Sequence, residues 1–370
     1  MVTARHRKLR IAMIMDIMAP VPPKTYGGIE RVVDFMVQGL VERGHEVTLF
    51  ASDDSEVPCR LIPFGHRRSK QIWIEILNTT RLYARLIGMC KEFDVVHCFG
   101  RMLYLLPLLP LRIPKVQTYM CPLTAWKMKV AERLSRGSLT FVGCSRSVAI
   151  NGAGIGKWHV IPNGVSLGKY RFDSAQKQEG FLLFLGRFNP VKGAHTAIRV
   201  AKKAGRRLKL AGTIAQDEIE PAYFKREIAP HIDGRQIEYI GPVDDLQKNE
   251  LMGKADALLF PIEWDEPMAV VMVEALACGL PVIAFNRGSI PEVLSNGVDG
   301  FICSSEAEMV SAIGRTGEIQ RAQCRRTAEN RFSSDQVVEQ YEHLYYQVVF
   351  GENSMQDIDR QQNRQPLSIS

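Results

Sequence analysis

Short apolar runs alternate with longer amphipathic stretches along most of the chain. In the first half the runs predict strands at Arg10–Met15, Glu46–Ala51, Asp94–Cys98, Lys115–Tyr119, Leu139–Gly143 and His159–Ile161. In the second half they predict strands at Phe181–Leu185, Leu208–Ala211, Ile237–Ile240, Ala257–Phe260 and Val282–Ala284. These runs are continuous rather than alternating, as befits strands covered on both faces. Between them lie helical patterns such as Gly28–Arg43, Ala194–Lys203 and Val270–Cys278. Strand and helix in repetition give parallel sheets and an α/β fold.

The pattern breaks at residues 162–180, a stretch rich in Gly, Ser and charge that reads as a linker. It divides the chain into domains at 1–165 and 166–333. Ser334–Phe350 has helical periodicity in Val337, Val338, Tyr341, Leu344, Tyr345 and Val348, and this helix is expected to pack back on the first domain. The polar tail, 351–370, reads as disordered. Two doubly wound domains imply a ligand beyond the carboxyl ends of the strands, with the two edges facing across a cleft.

A length of 370 residues, 46% hydrophobic and 24% charged, suits two ordinary globular domains. The eight cysteines, Cys59, Cys90, Cys98, Cys121, Cys144, Cys278, Cys303 and Cys324, are scattered and form no CxxC pair. They read as reduced thiols of a cytosolic protein, without the ligand clusters of a zinc site. The basic start runs straight into LRIAMIM, which ends at Asp16 with no cleavage site after it, so it reads as a buried strand rather than a signal peptide. Met102–Leu111 is the longest apolar segment and falls far short of the ~20 residues that a spanning helix needs. It is expected in the core, and the protein in the cytoplasm.

Charge is unevenly placed. Residues 1–165 hold 23 Lys+Arg against 12 Asp+Glu, and the remainder 24 against 28. A basic first half suggests an anionic partner, or equally a solvated basic surface. No nucleic-acid-binding module is visible, so nucleic acid is not expected. Docking on an anionic membrane at its inner face, or on a lipid-linked acceptor, fits better, through runs such as Arg67–Lys70 and Lys127–Arg136.

Three segments carry candidate chemistry. Gly27 and Gly28 follow the first strand and open the first helix, where glycine lets backbone N–H groups approach a phosphate; a plain tight turn explains them as well. In GRFNPVKG, residues 186–193, Arg187 and Lys192 stand at the end of a strand, placed to clamp a diphosphate. No DxD-like acidic pair holds a metal there, so cationic side chains would stabilise the leaving group. Residues 265–303 are the strongest segment. Glu266 precedes a helix and Glu274 lies inside it, about 12 Å further on at 1.5 Å per residue. The amides of Met268, Ala269 and Val270 are at the helix start, suited to hydroxyl or phosphate oxygens. Glu274 sits among apolar neighbours and is expected to need hydrogen-bond donors, which ribose hydroxyls would supply.

This last segment resembles the E-x7-E signature of the retaining glycosyltransferases of family 4, which have the GT-B fold of two Rossmann-like domains. Glu266-Pro267 is followed by Met268-Ala269 where Phe-Gly is usual, and then by Glu274-Ala275-Leu276-Ala277-Cys278-Gly279-Leu280-Pro281-Val282-Ile283-Ala284. The GR…KG pair, the hinge Ile161–Val165, YGGIERVV and the later GSIPEVL…GVDGF resemble the family in order and spacing, over about residues 9–350. The resemblance implies a metal-independent enzyme without cofactor that uses a nucleotide sugar in surface polysaccharide or glycolipid synthesis. Glu266 would face the donor sugar, Glu274 the ribose, and Arg187 and Lys192 the diphosphate. The Gly27–Gly28 loop would close from the other domain, and the Met268–Val270 amides would orient oxygens. The acceptor, a glycan, lipid-linked group or small molecule, stays open.

One departure from the family matters. Where it often has T-Y-H-G-P-L, this chain has Thr118-Tyr119-Met120-Cys121-Pro122-Leu123, and Met120 cannot donate a hydrogen bond as His does. The substitution motivates a second reading, a catalytically impaired homologue that binds nucleotide sugar or a partner enzyme. His97, Met120 and Asn163 are candidates for lining the cleft, with a structural role equally open for His97. A sugar-nucleotide epimerase shares the layout, but the E-x7-E context argues against it.

Overall fold

Each continuous apolar run becomes a strand close to its expected ends in the computed structural model, which describes residues 7–23, 27–66, 71–120, 124–173, 179–215 and 217–351. The strands of the first sheet are β1 Arg10–Ile14, β2 Glu46–Ser52, β3 Arg60–Gly65, β4 Val95–Cys98, β5 Lys115–Tyr119, β6 Leu139–Gly143 and β7 Lys157–Val160. Those of the second are β8 Phe181–Leu185, β9 Arg207–Ala211, β10 Ile237–Gly241, β11 Ala257–Phe260, β12 Val282–Phe285 and β13 Gly300–Cys303. The helices are α1 Gly28–Glu42, α2 Ile72–Met89, α3 Ala125–Ser135, α4 Arg146–Ala149, α5 Ala194–Lys203, α6 Ile219–Tyr223, α7 Asp245–Lys254, α8 Val270–Ala277, α9 Ile290–Val293, α10 Glu306–Gly314, α11 Arg321–Phe332 and α12 Ser334–Phe350.

The first unit gathers the described residues up to Cys144, Val148–Ile161 and those from Asp335 onward; the second holds Ser145–Ser147 and Pro162–Ser334. Their strand orders are β3-β2-β1-β4-β5-β6-β7 and β10-β9-β8-β11-β12-β13. Every pairing is parallel, with Ile11 opposite Val95 in one sheet and Leu182 opposite Ala257 in the other. Both units are doubly wound, which is the two-domain α/β layout that the sequence implies. In each, the order reverses beside the first strand, between β1 and β4 and between β8 and β11. Such reversals are where open α/β sheets leave room for ligands.

Two edge strands escaped the sequence reading. β3 carries Pro63 and is half exposed, so it shows no continuous apolar run; proline is tolerated at a sheet edge. β13 is only four residues, GFIC. In the first unit, α1 and α12 cover one face of the sheet: Val33 and Leu40 share a cluster with Val337, Tyr341 and Tyr345. The other face is covered by α2, the 3-10 segment Met102–Leu108 and α3, through Leu82, Leu86, Leu105 and Met128. Met102–Leu108 is thus only partly the core element expected, because Leu103, Leu106 and the following Leu111 remain exposed. Among the described residues every cysteine is a free thiol. The expected tail beyond Gly351, the run Arg67–Lys70 and Cys121–Leu123 lie outside the described residues.

Candidate functional site

In the second unit the chain leaves β8 into Gly186–Gly193 and leaves β11 into Pro261–Ala269, so both loops flank the reversal of strand order. The first loop is shaped by glycines that nothing else can replace. A Cβ on Gly212, after β9, would lie 1.8 Å from the Gly186 carbonyl oxygen. One on Gly193, at φ +75°, would lie 1.9 Å from that of Pro261. The two loops therefore touch through backbone, which brings Lys192 to Glu266.

Lys192 Nζ donates to Glu266 Oε2 at 2.7 Å, and the indole N–H of Trp264 donates to the same oxygen at 2.6 Å. The ammonium also stands 5.6 Å from the centre of the Trp264 ring. Glu266 is buried and Lys192 is one-fifth exposed, so the pair is set in place yet reachable. Behind it, Ser289 N–H donates to the Glu266 carbonyl at 3.0 Å. Gly288, at φ +53°, has no room for a Cβ, which would meet Glu266 O at 2.4 Å. The GSIPEVL motif thus backs the Glu266 loop.

Arg187 is tied to Glu220, a fully buried carboxylate at the start of α6. Glu220 also accepts from Asn189 Nδ2 at 3.2 Å and from the Ala215 N–H at 2.7 Å. These bonds hold the guanidinium, about a third exposed, at the mouth of the β8 loop. Neither Trp264 nor Glu220 was singled out in the sequence. Glu220 carries no local signal, since its partners lie up to 33 residues away.

Glu274 is buried in α8, as expected, and one of its carboxylate oxygens already has donors within the protein. Oε1 accepts from the Tyr170 hydroxyl and from Lys248 Nζ, both at 2.6 Å. Tyr170 belongs to the stretch read as a linker, whose first part is docked on this unit: Tyr170 is buried and Val165 bridges to Ser333. Helix α8 starts at Val270 with Ala269 as its N-cap, so Met268 and Ala269 form the entry to the helix and both are buried.

Two of the cleft candidates are buried, and His97 takes the structural role left open for it. His97 is fully buried in the first unit: Nδ1 lies 2.5 Å from the Tyr345 hydroxyl and Nε2 2.7 Å from Thr118 Oγ1. Burial pushes its pKa well below the ordinary 6.5, and it is a neutral core residue joining β4 to α12. Asn163 is buried too; its N–H donates to Met268 Sδ at 3.1 Å and its amide to the Met268 carbonyl at 3.3 Å. It supports the α8 entry from beneath. Met120 is half-buried against the core of the first unit.

Gly27 and Gly28 stand at the start of α1 in the first unit. Gly27 is needed for close packing, since a Cβ there would meet Pro23 Cβ at 2.6 Å. At the strand reversal of this unit Arg101 Nε pairs with Asp16 Oδ2 at 3.1 Å, an ion pair that the sequence reading did not identify. Among the described residues, one grouping has metal-ligand spacing: Asp53, Asp54 and His66, at the surface beyond β2, where His66 pairs with Asp53 at 2.5 Å.

The sequence matches two family models end to end: Glycosyltransferase Family 4 over residues 26–169 and glycosyl transferases group 1 over residues 168–331. It is 26% identical to an uncharacterized 41.2 kDa protein in the cps region of Klebsiella pneumoniae, covering 86% of this chain and 96% of that one. In structure it resembles AviGT4, a glycosyltransferase involved in avilamycin A biosynthesis, with a TM-score of 0.70, 25% identity and coverage of 93% and 99%. It also shares its fold with Anabaena Alr3699/HepE, solved in complex with UDP-glucose, at a TM-score of 0.70, 17% identity and coverage of 91% and 99%.

Proposed function

Because the chain is a family 4-type glycosyltransferase of GT-B fold, we propose that it moves a hexose-type sugar from a nucleoside diphosphate donor to an acceptor hydroxyl with retention of configuration. The observation that carries this reading is the Lys192–Glu266 pair at the strand reversal of the second unit, beside Arg187. Two cations and a carboxylate at one loop cluster suit a substrate with a charged diphosphate and a hydroxyl-bearing ring.

In this mechanism the diphosphate of the donor takes Glu266's place as the partner of Lys192, and Arg187 adds a forked contact. Glu266, released from the ammonium, accepts hydrogen bonds from sugar hydroxyls. Glu274, anchored through Oε1 by Tyr170 and Lys248, offers its other oxygen to the ribose. The bond between the anomeric carbon and the phosphate oxygen breaks, and the acceptor oxygen bonds to that carbon on the same face. The acceptor proton goes to the departing diphosphate, so no side-chain base and no metal is required. HepE's complex with UDP-glucose supports a nucleotide-sugar donor. The Klebsiella relative's place in a cps region supports a role in surface polysaccharide or glycolipid synthesis. We place the acceptor step at an anionic membrane surface, on the charge of the first half of the chain; among the described residues no helix is long and apolar enough to cross a membrane.

The test is acceptor-dependent release of nucleoside diphosphate across a panel of donors, with Glu266→Ala alongside. Release by the wild type and none by the variant supports the assignment; equal turnover by both removes it. Met120 favours a second reading, a binding-only homologue, because a thioether packed on the core gives the donor sugar no hydrogen bond. Release with any acceptor excludes that reading.

A further inference from the structure

Helix α2 is apolar on two sides. Its inner side, Leu82 and Leu86, joins the core of the first unit. Its outer side carries Trp73, Leu77, Thr80, Ala84 and Ile87, spaced by four and three residues and so aligned as one stripe. Trp73 is 78% exposed, and Ile72, Ile76, Leu77 and Ile87 are exposed beside it. A helix apolar all round is normally buried. Helix α3 repeats the arrangement: Met128 and Ala131 face the core, while Trp126, Val130 and Leu134 form an outer stripe with Trp126 64% exposed. The segment Met102–Leu108 packs against both helices and adds exposed Leu103 and Leu106 between them. These residues form one apolar surface on one face of the unit, and single scattered hydrophobics do not account for it.

The charges around this surface choose its partner. Arg81 and Arg85 flank the α2 stripe, and Lys127, Lys129 and Arg133 flank that of α3, all exposed. The carboxylates of the two helices, Glu75 and Glu132, are both half-buried, and Glu75 is engaged by Arg101. Where the 3-10 segment and α3 end, the chain lines a hollow of about 1000 Å³ with Arg112, Arg136 and Lys157, and among the described residues no Asp or Glu lines it. Apolar and aromatic side chains ringed by cations match the boundary between acyl chains and anionic headgroups.

We propose that the first unit docks on an anionic bilayer through α2 and α3, with Trp73, Leu77 and Trp126 entering the interface and lipid phosphates filling the cationic hollow. This rests on the reading of the acceptor step as membrane-associated, and replaces docking by charge alone with docking by insertion.

The experiment is flotation of the full chain with vesicles of phosphatidylcholine, with and without phosphatidylglycerol, in low salt and about 1 M salt, where screening reaches ~3 Å. Binding to the phosphatidylglycerol vesicles, a blue shift of tryptophan emission on binding, and partial retention in high salt are expected. Trp73→Ser/Leu77→Ser/Trp126→Ser should lose at least about tenfold in partitioning, or ~1.4 kcal/mol, with its thermal midpoint unchanged. Arg112→Glu/Arg136→Glu/Lys157→Glu should lose binding to the anionic vesicles. Wild-type partitioning by the triple serine variant overturns the proposal, as does release of all protein by salt. So does a dimer in solution that this variant abolishes, without vesicle binding. Nucleoside diphosphate binding, measured on the same samples, reports the donor site alone, so failure of docking and failure of the transferase reading are told apart.

Discussion

The ammonium of Lys192 and the carboxylate of Glu266 lie 2.7 Å apart on loops that leave neighbouring strands 74 residues apart in sequence. Each holds the other near the position it needs, which removes side-chain entropy before the donor arrives. Lys192→Met and Glu266→Gln should each lower turnover by about 100-fold or more. The two changes together should cost little more than either, because the residues act as a unit. Steady-state release of nucleoside diphosphate by the single and double variants checks this; additive losses would show two independent roles.

Gly288 gives a way to move Glu266 without altering it. A methyl group at this position would overlap the Glu266 backbone at 2.4 Å, on a residue held at φ +53°. Gly288→Ala should destabilise the fold by about 1–3 kcal/mol. Turnover should drop well beyond the loss of nucleoside diphosphate affinity, because the cations on the β8 loop remain. Calorimetric binding beside a rate assay separates the two effects.

Much of the fold and part of the site were legible in the sequence, for identifiable reasons. Strands buried on both faces announce themselves as continuous apolar runs, and Phe181–Leu185, Lys115–Tyr119, Leu139–Gly143 and Ala257–Phe260 form with the expected ends. β3 does not, because at a sheet edge Pro63 and half-exposed side chains are permitted. Glu266 and Lys192 stood out because their motifs are local. Their partner Trp264 was passed over, although it stands two residues from Glu266. Tyr170, Lys248 and Glu220 could not stand out, since their roles exist only through contacts with residues 104, 26 and 33 positions away. His97 stays open in the sequence because a histidine at a strand end looks the same there whether it meets solvent or Tyr345.

Lys248 and Glu274 are both buried, and the pair is closed by the Tyr170 hydroxyl, 3.2 Å from Lys248 Nζ. Removing one charge leaves the other without compensation in low dielectric. Lys248→Met should therefore destabilise the second unit by about 3 kcal/mol or more, while Lys248→Met/Glu274→Leu recovers most of that loss. Tyr170→Phe, which removes one neutral donor, should cost about 1 kcal/mol. Chemical denaturation of the three variants tests the order. Equal stability of Lys248→Met and wild type would mean that the carboxylate finds another partner.

Stability should fall on the alkaline side, and the thiols set where. Burial pushes Cys59 and Cys303 up to about 11 and Cys278 and Cys324 up to about 12. Cys98 is raised further still. A thiol released by unfolding ionises near pH 8.5. From about pH 9 upward the unfolded chain thus holds fewer protons than the folded one, and stability declines with pH until the folded thiols ionise as well. Lys115 works in the opposite sense: buried against the Leu111 and Ile113 carbonyls, it is lowered to about 8. Between about pH 8 and 10.5 the unfolded chain keeps a proton there that the folded chain has lost, which favours folding. One lysine stands against five thiols, so the decline wins above about pH 9. Thermal midpoints of reduced protein across this range should fall, and Cys278→Ala/Cys324→Ala should fall less steeply. A midpoint that rises toward pH 10 would instead mean that Lys115 outweighs the thiols.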